Sequence, residues 1–292
     1  WLSSRPGALL QAHRSGKCRA RARTHAGSAL MEGFVVQPAA LALAGLDRLG
    51  ELAGSLLQWI SPEWACMADL LRLSGIKSGD RLLDAGCGTG DLLAMAAGLE
   101  AGAMLVGLDP DEDSLELASH KIPSTLHPVE LHQGVAEAMP FEDGAFDLVT
   151  ATNLFGGLEP RTRARALDEC FRVLRPGGRL LLTVPAYPWL WSRHDETHHH
   201  FRRYTKTALK QALREAGLQP VALSYFNTLL FPLIAGLRLA RKLLRLPEPD
   251  DTAMPGSATN ALLMKIFSLE SAVIGRMALP FGVSLMAVAR RA

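Results

Sequence analysis

Between residues 82 and 184 short apolar runs alternate with segments whose apolar side chains recur at helical spacing. The runs Leu82-Leu83, Ala103 to Leu108, Phe146 to Asn153 and Arg179 to Val184 predict buried strands, and Glu112 to His120 and the arginine-rich Arg161 to Leu174 predict helices between them. Arg175-Pro176-Gly177-Gly178 predicts a helix stop before the last of these strands, because proline and then glycine do not continue a helix. Such alternation predicts an α/β fold with a largely parallel sheet, helices on both faces, and a ligand crevice beyond the carboxyl ends of the strands. Upstream, residues 34 to 77 read as helices, with a loose apolar stripe through Leu41, Leu43, Leu46, Leu49, Leu52, Leu56 and Leu57.

The most informative polar interruption is Asp84, which ends the first apolar run and leads into Ala85-Gly86-Cys87-Gly88-Thr89-Gly90. Glycines alternating with small residues between a strand and a helix let the backbone pass close beneath a bulky ligand. The spacing is G-x-G-x-G, and Asp91 stands where G-x-G-x-x-G requires its last glycine. This disfavours a pyrophosphate-binding dinucleotide loop, and an NAD-dependent oxidoreductase with it. Asp109 closes the second apolar run at the place where doubly wound nucleotide-binding folds set an acid on the ribose hydroxyls. A carboxylate only accepts hydrogen bonds and can take two from a diol. The alternative role for Asp109 is a helix cap.

Together these residues resemble the class I S-adenosylmethionine-dependent methyltransferases. The resemblance implies S-adenosyl-L-methionine as cofactor, with Asp84 beside its methionine end, Gly86, Cys87, Gly88 and Gly90 beneath it, and Asp109 and Pro110 at the ribose. Gly134 to Phe141 matches the family's adenine loop, which would bring the backbone near Ala136, with Glu137, to the adenine edge, while Asn153 marks the exit of a further strand. The chain departs from the family at Val135, where an acid commonly accepts from the adenine amine, so adenine is expected to be held by backbone and apolar contacts. The implied fold is a Rossmann-like, doubly wound, seven-stranded sheet with an antiparallel last strand. In it Leu218 to Phe226 and Gly282 to Ala289 form the final pair, residues 31–77 a helical cap, and residues 227–281 a helical insertion before the last strand.

Residues 185 to 204 crowd proline, aromatic, histidine and arginine side chains together, as suits a pocket wall. The segment resembles a group of bacterial type 11 methyltransferases with a His-Asp, then His-x-Arg-Arg-Tyr pattern, onto which His194, Asp195, His200, Arg202, Arg203 and Tyr204 map. His194, His200 and Tyr204 are the catalytic candidates. A metal site is the weakest reading of the histidines, since adjacent ones point in different directions and no cysteine lies near, and no metal is expected. Structural bonding to loop carbonyls and acceptor binding or general-base work remain as the other two readings. A base is needed only where the acceptor is a protonated oxygen, nitrogen or acidic carbon.

Composition narrows the partners. The first thirty residues carry six basic residues and no acid, whereas the whole chain nets only +2, so residues 31–292 are net acidic and nucleic acid is not an expected partner. Residues 1–30 read as an upstream extension with Met31 as the natural start, against a nucleic-acid arm or an organelle presequence. Four cysteines without C-x-x-C spacing fit reduced thiols in a cytoplasmic compartment. Residues 229 to 245 are apolar and then basic, too short for a span and compatible with either a membrane-interface helix or a helical subdomain. In the interface reading Arg238, Arg241, Lys242 and Arg245 meet headgroups while Leu230, Phe231, Ile234 and Leu237 enter the acyl boundary. The expected function is methyl transfer to a small or lipid-like acceptor, and the rival is a catalytically idle cofactor-binding module. Oligomeric state is not legible.

Overall fold

In the computed structural model the described residues are 64–99, 102–122, 129–197, 199–244, 265–266, 268–270, 273–274 and 276–292. The basic extension 1–30 and the leucine stripe of residues 41–57 lie outside them. In chain order the elements are α1 (Trp64–Ser74), β1 (Arg81–Ala85), α2 (Asp91–Leu99), β2 (Met104–Asp109), α3 (Glu112–Lys121), β3 (Val129–Gln133) and β4 (Phe146–Thr152). After these come α4 (Pro160–Val173), β5 (Leu174–Pro185), α5 (Arg193–Thr197), α6 (Lys206–Glu215), β6 (Leu218–Phe226), α7 (Phe231–Leu244) and β7 (Ser284–Arg291).

The seven strands lie in the order β3-β2-β1-β4-β5-β7-β6. β1 to β5 are parallel, and β7 runs antiparallel to both β5 and β6. This is the doubly wound seven-stranded architecture expected from the sequence. Central strands are buried on both faces, which is why they read as continuous apolar runs and not as alternation: Leu82, Leu83, Leu148 and Val149 are all fully buried. Each such leucine contributes about 2 kcal/mol by leaving water. The chain winds outward in both directions from the β1/β4 pair, so the carboxyl ends of those strands open a crevice at the switch point.

One element differs from expectation. The Arg175-Pro176-Gly177-Gly178 stop is incorporated into β5, whose pairing with β4 jumps from Phe146↔Leu174 to Leu148↔Arg179. The extra residues form a wide bulge that Gly177 turns at φ +79°. The helix ends at Val173, one residue before the predicted Leu174, and the strand absorbs the proline-glycine turn.

Candidate active site

The Gly-rich turn is held chiefly by its own backbone. The amides of Gly86 and Cys87 donate to Leu108 O at 2.7 and 3.1 Å, and Gly88 N donates to Asp109 Oδ2 at 2.8 Å. Gly86 has φ +73°, which L side chains rarely adopt, and a Cβ there would stand 3.0 Å from Leu154 Cδ1, so that side chain would have to give way. A Cβ on Gly88 would meet nothing within 4 Å, leaving room on that side of the turn for a ligand. Cys87 is buried, and burial pushes its thiol up, which makes it a filler and not a nucleophile. Gly90 approaches α3 closely, with a would-be Cβ 2.8 Å from Ala118 Cβ.

Asp84 and Asp109 occupy different environments. Asp84 is fully buried at the end of β1 opposite Thr150 in the register, and the Thr150 hydroxyl reaches its Oδ1 at 2.7 Å. Burial pushes the Asp84 carboxyl up to about 8, against the Thr150 hydrogen bond and with the negative charges of Asp109 and Asp91 adding to the rise. Asp109 is half-buried and accepts from Gly88 N and from Asp111 N at 3.0 Å, which leaves lone pairs on both oxygens for further donors. The cap of α3 is Asp111, not Asp109, so the capping alternative for Asp109 falls. Pro110, exposed, follows directly, and its carbonyl accepts from Gln133 Nε2 at 3.2 Å.

Two supports were not singled out in the sequence. Lys121, buried at the end of α3, donates to Thr89 Oγ1 at 2.9 Å and to Asp91 Oδ1 at 3.0 Å, clasping the glycine turn from behind. Asp91, the residue that breaks the dinucleotide spacing, thus holds the turn. The adenine-loop segment is clamped from α4: Glu169 accepts from Met139 N at 2.7 Å, and Arg172 donates to the carbonyls of Met139 and Phe141 at 2.9 and 2.7 Å. Gly134 N donates to Asp109 O at 3.0 Å, tying that loop to the acid at the end of β2. Within it Ala136 is buried, Glu137 half-buried and Val135 exposed at the rim.

At the exit of β4, Asn153 is exposed and takes φ +57°, donating its amide to Thr183. The short 3-10 turn Leu154–Gly156 that follows links the glycine turn to residues 185–204: Leu154 covers Gly86, and Gly156 O accepts from Phe201 N at 2.7 Å. His200 is half-buried beside that turn, its Nδ1 3.0 Å from Asp195 Oδ1. Asp195 is fully buried and also accepts from Ser192 N and from Arg203 Nε. His194 belongs to α5, and its side chain lies outside the described residues. Tyr204 is buried with its hydroxyl donating to Phe155 O at 3.1 Å, and burial raises its phenol.

Beyond β5 and β6 an aromatic cluster lines the same sheet edge. Tyr187 stacks on Tyr225 with ring centres 5.1 Å apart, and Phe231 packs against Tyr187, Trp189 and Phe281. The lipid-facing assignment within α7 needs correction. Arg238 and Lys242 donate to the carbonyls of Leu190 and Trp189 at 2.5 and 2.8 Å, Phe231 joins the aromatic cluster, and Leu230 packs on the core. Among the described side chains there, the exposed leucines are Leu229, Leu233, Leu239 and Leu243. The side chains of Leu237 and Arg241, and Arg245 altogether, lie outside the described residues. Among the described residues no helix is long and apolar enough to cross a membrane, and no group of three His, Cys, Asp or Glu side chains is arranged for a metal.

A parallel sheet carrying a Gly-rich turn under one acid, with a second acid at the end of the neighbouring strand, defines the class I architecture for a nucleoside-type cofactor. The family described as "Methyltransferase domain", of type 11, matches residues 83–182. The demethylmenaquinone methyltransferase of Lactiplantibacillus plantarum is 33% identical over 183 residues, covering 52% of this chain and 76% of that protein. The enzyme of that name from Lactococcus lactis subsp. lactis is 35% identical over 125 residues, 42% of this chain and 49% of its own length. Among solved structures, the geranyl diphosphate C-methyltransferase of Streptomyces coelicolor A3(2), in complex with S-adenosyl-L-homocysteine, has a TM-score of 0.56 at 16% identity, covering 89% of this chain and 91% of that one. The chain belongs to the class I S-adenosylmethionine-dependent methyltransferases, in the type 11 group.

Proposed function

We propose that this chain transfers the methyl group of S-adenosylmethionine to a lipid-like acceptor seated between the β1/β4 crevice and the aromatic cluster at the ends of β5 and β6. The observation that carries the reading is the placement of that cluster. Tyr187 follows β5, Tyr225 closes β6 and Phe281 precedes β7, and because β7 is antiparallel all three lie at the sheet edge that bears Asp84 and Asp109. Flat, apolar side chains gathered at that edge favour an apolar or conjugated acceptor. The names of the relatives agree, since demethylmenaquinone and geranyl diphosphate both carry isoprenoid chains or are built from them.

The bound cofactor supplies an electrophilic methyl on a sulfonium that is already a good leaving group. The protein's share is to hold and align, and proximity supplies most of the rate. In this reading Asp84 faces the methionine end, Gly86 to Gly90 support the cofactor from below, Asp109 with Pro110 takes the ribose, and Ala136 with Glu137 borders the adenine. Asn153 lines the exit of β4, and His200 and His194 lie on the acceptor side. Surface contact with a bilayer through residues 229–245 delivers the acceptor, with Leu229, Leu233, Leu239 and Leu243 entering the interface.

Two experiments test the reading. Full-length protein incubated with S-adenosylmethionine and reduced demethylmenaquinone, geranyl diphosphate or water-soluble catechols is assayed for S-adenosylhomocysteine by mass spectrometry. Turnover with an isoprenoid acceptor supports it, and turnover with the soluble phenols alone replaces it with a soluble-acceptor enzyme. For the membrane part, co-sedimentation with anionic vesicles is measured for the chain and for Leu233→Glu/Leu243→Glu. Loss of sedimentation in the double variant is expected, and wild-type protein left in the supernatant at low salt rejects the contact.

A further inference from the structure

We infer that Arg163 and Arg202 form an anion site at the start of α4, suited to a phosphate or diphosphate group. Such a site goes beyond the methyl-transfer reading and holds whether the phosphate belongs to the acceptor or to another ligand.

Arg163 is a buried cation without a counter-ion. It is the fourth residue of α4 and only 7% exposed, and its side chain folds back over the helix start, where Nη2 donates to Leu158 O at 2.8 Å. Its Nε is sealed from solvent with no hydrogen-bond partner, whereas Nη1 has no partner among the described residues but keeps access to solvent. The charged or ionisable groups that act on it are Tyr204 and Arg202, and no carboxylate is among them. Glu159, four residues earlier, makes no capping bond with its side chain and does not pair with Arg163. A buried charge is costly unless it is paired, so an anion from outside completes this arrangement.

Arg202 brings a second cation to the same place. Its guanidinium carbon stands 4.6 Å from the centre of the Tyr204 ring, and that of Arg163 stands 5.7 Å from it. The Tyr204 hydroxyl is held by Phe155 O, and Gly156 O accepts from Phe201 N and Arg202 N at 2.7 and 3.4 Å, which ties residues 201–204 to the turn just before α4. Asp195 does not neutralise the pair, since Arg203 and His200 occupy its oxygens. Burial lowers the Arg163 guanidinium from its ordinary value, and the Arg202 charge pushes the same way against the opposing influence of Tyr204. Two like charges are thus gathered around one aromatic ring.

The helix adds donors of its own. α4 has 14 residues and Pro160 in its first position, and no side chain caps it, so the first-turn amides of Arg161 and Thr162 have no intrahelical partner at the positive end of the dipole. Guanidinium forks match phosphate oxygens two at a time. Two unneutralised charges favour a dianion, because a single carboxylate leaves one of them unmatched.

The test is titration calorimetry of the full-length protein with inorganic pyrophosphate at constant ionic strength, together with sedimentation on vesicles of phosphatidylcholine with and without phosphatidic acid. Pyrophosphate is expected to bind at one site per chain, about tenfold or more weakly in Arg202→Gln and not at all in Arg163→Met, with S-adenosylhomocysteine affinity unchanged in both. Pyrophosphate binding with sedimentation unaltered in Arg202→Gln assigns the phosphate to a soluble ligand. Sedimentation on phosphatidic acid that falls in Arg202→Gln, without pyrophosphate binding, assigns it to a lipid headgroup. Arg202 is exposed, so Arg202→Gln decides the matter even where Arg163→Met does not fold. Wild-type protein that binds no pyrophosphate and sediments as Arg202→Gln does overturns the site, as does equal pyrophosphate affinity in wild type and Arg202→Gln.

Discussion

The two halves of the carboxyl sheet edge are built by different means. Around β1 and β2 the backbone itself makes the site: amides of Gly86, Cys87 and Gly88 bond to Leu108 O and Asp109, and the shape follows from where glycines stand. Around β5 and β6 side chains make it, through the Asp195–His200–Arg203 group and the stacked Tyr187 and Tyr225. A backbone site is tied to a few consecutive residues and to glycine, so it tolerates little substitution and serves a constant ligand. The side-chain half sets one local group, Asp195 with His200 and Arg203 a few residues on, beside aromatic rings from separate strands, and its side chains are free to change with the acceptor.

The largest effect expected from breaking this contrast lies on the backbone side. Gly86→Val must adopt a positive φ and find room against Leu154, about 3 kcal/mol of strain before any contact with the ligand is counted, so cofactor affinity should drop by roughly 100-fold or more. Calorimetry with S-adenosylhomocysteine, alongside circular dichroism to verify folding, reads this out; retained tight binding would move the cofactor elsewhere. Asp109→Ala comes next. Loss of charged hydrogen bonds to a diol should weaken cofactor binding by about 1 to 3 kcal/mol, while an unchanged affinity in a folded variant takes Asp109 out of the ribose site.

Asp84 sharpens the comparison through pH. Its carboxyl, raised from 3.8 to about 8 by burial, is neutral near pH 7 in the cofactor-free protein. A cationic ligand favours the ionised form, so binding should release a proton and affinity should rise with pH up to about 8, by as much as about tenfold per unit. Below the folded value the native state holds a proton that the unfolded chain has lost, so the cofactor-free protein should lose stability as pH climbs from 3.8 to about 8. Calorimetry in buffers of different ionisation enthalpy counts the protons, and Asp84→Asn should abolish both dependences. A flat pH profile in the wild type would place the ammonium away from Asp84. The smallest effect expected is at Arg172, whose bonds to Met139 and Phe141 are partly exposed. Arg172→Ala should cost about 1 to 2 kcal/mol in urea denaturation and loosen cofactor binding a few-fold, and unchanged stability would show that the loop holds itself.

What the sequence disclosed follows the same division. Strands read as continuous apolar runs, the helix stop at Arg175-Pro176, and Asp84, Gly86 and Asp109 were all legible because each signal sits within a few neighbouring residues. The bulge in β5 was not, since its register depends on a partner strand. Thr150, Lys121, Glu169 and Arg172 were invisible for the same reason: nothing local marks a threonine as the partner of an acid 66 residues away. In residues 185–204 the residue types announced a wall, but only the fold separates His200, set on Asp195, from Tyr204, whose hydroxyl is spent on Phe155 O. In α7 composition found the amphipathic helix but not that Arg238 and Lys242 reach back to Leu190 and Trp189.

The central claim is that the backbone half of this edge binds S-adenosylmethionine, and titration calorimetry of the full chain against S-adenosylmethionine, S-adenosylhomocysteine and NAD tests it most directly. Saturable heat at one site per chain is expected with the first two, lost in Gly86→Val, with none from NAD. Binding of NAD, or no heat from the sulfonium ligand and its demethylated product in a folded protein, would contradict it.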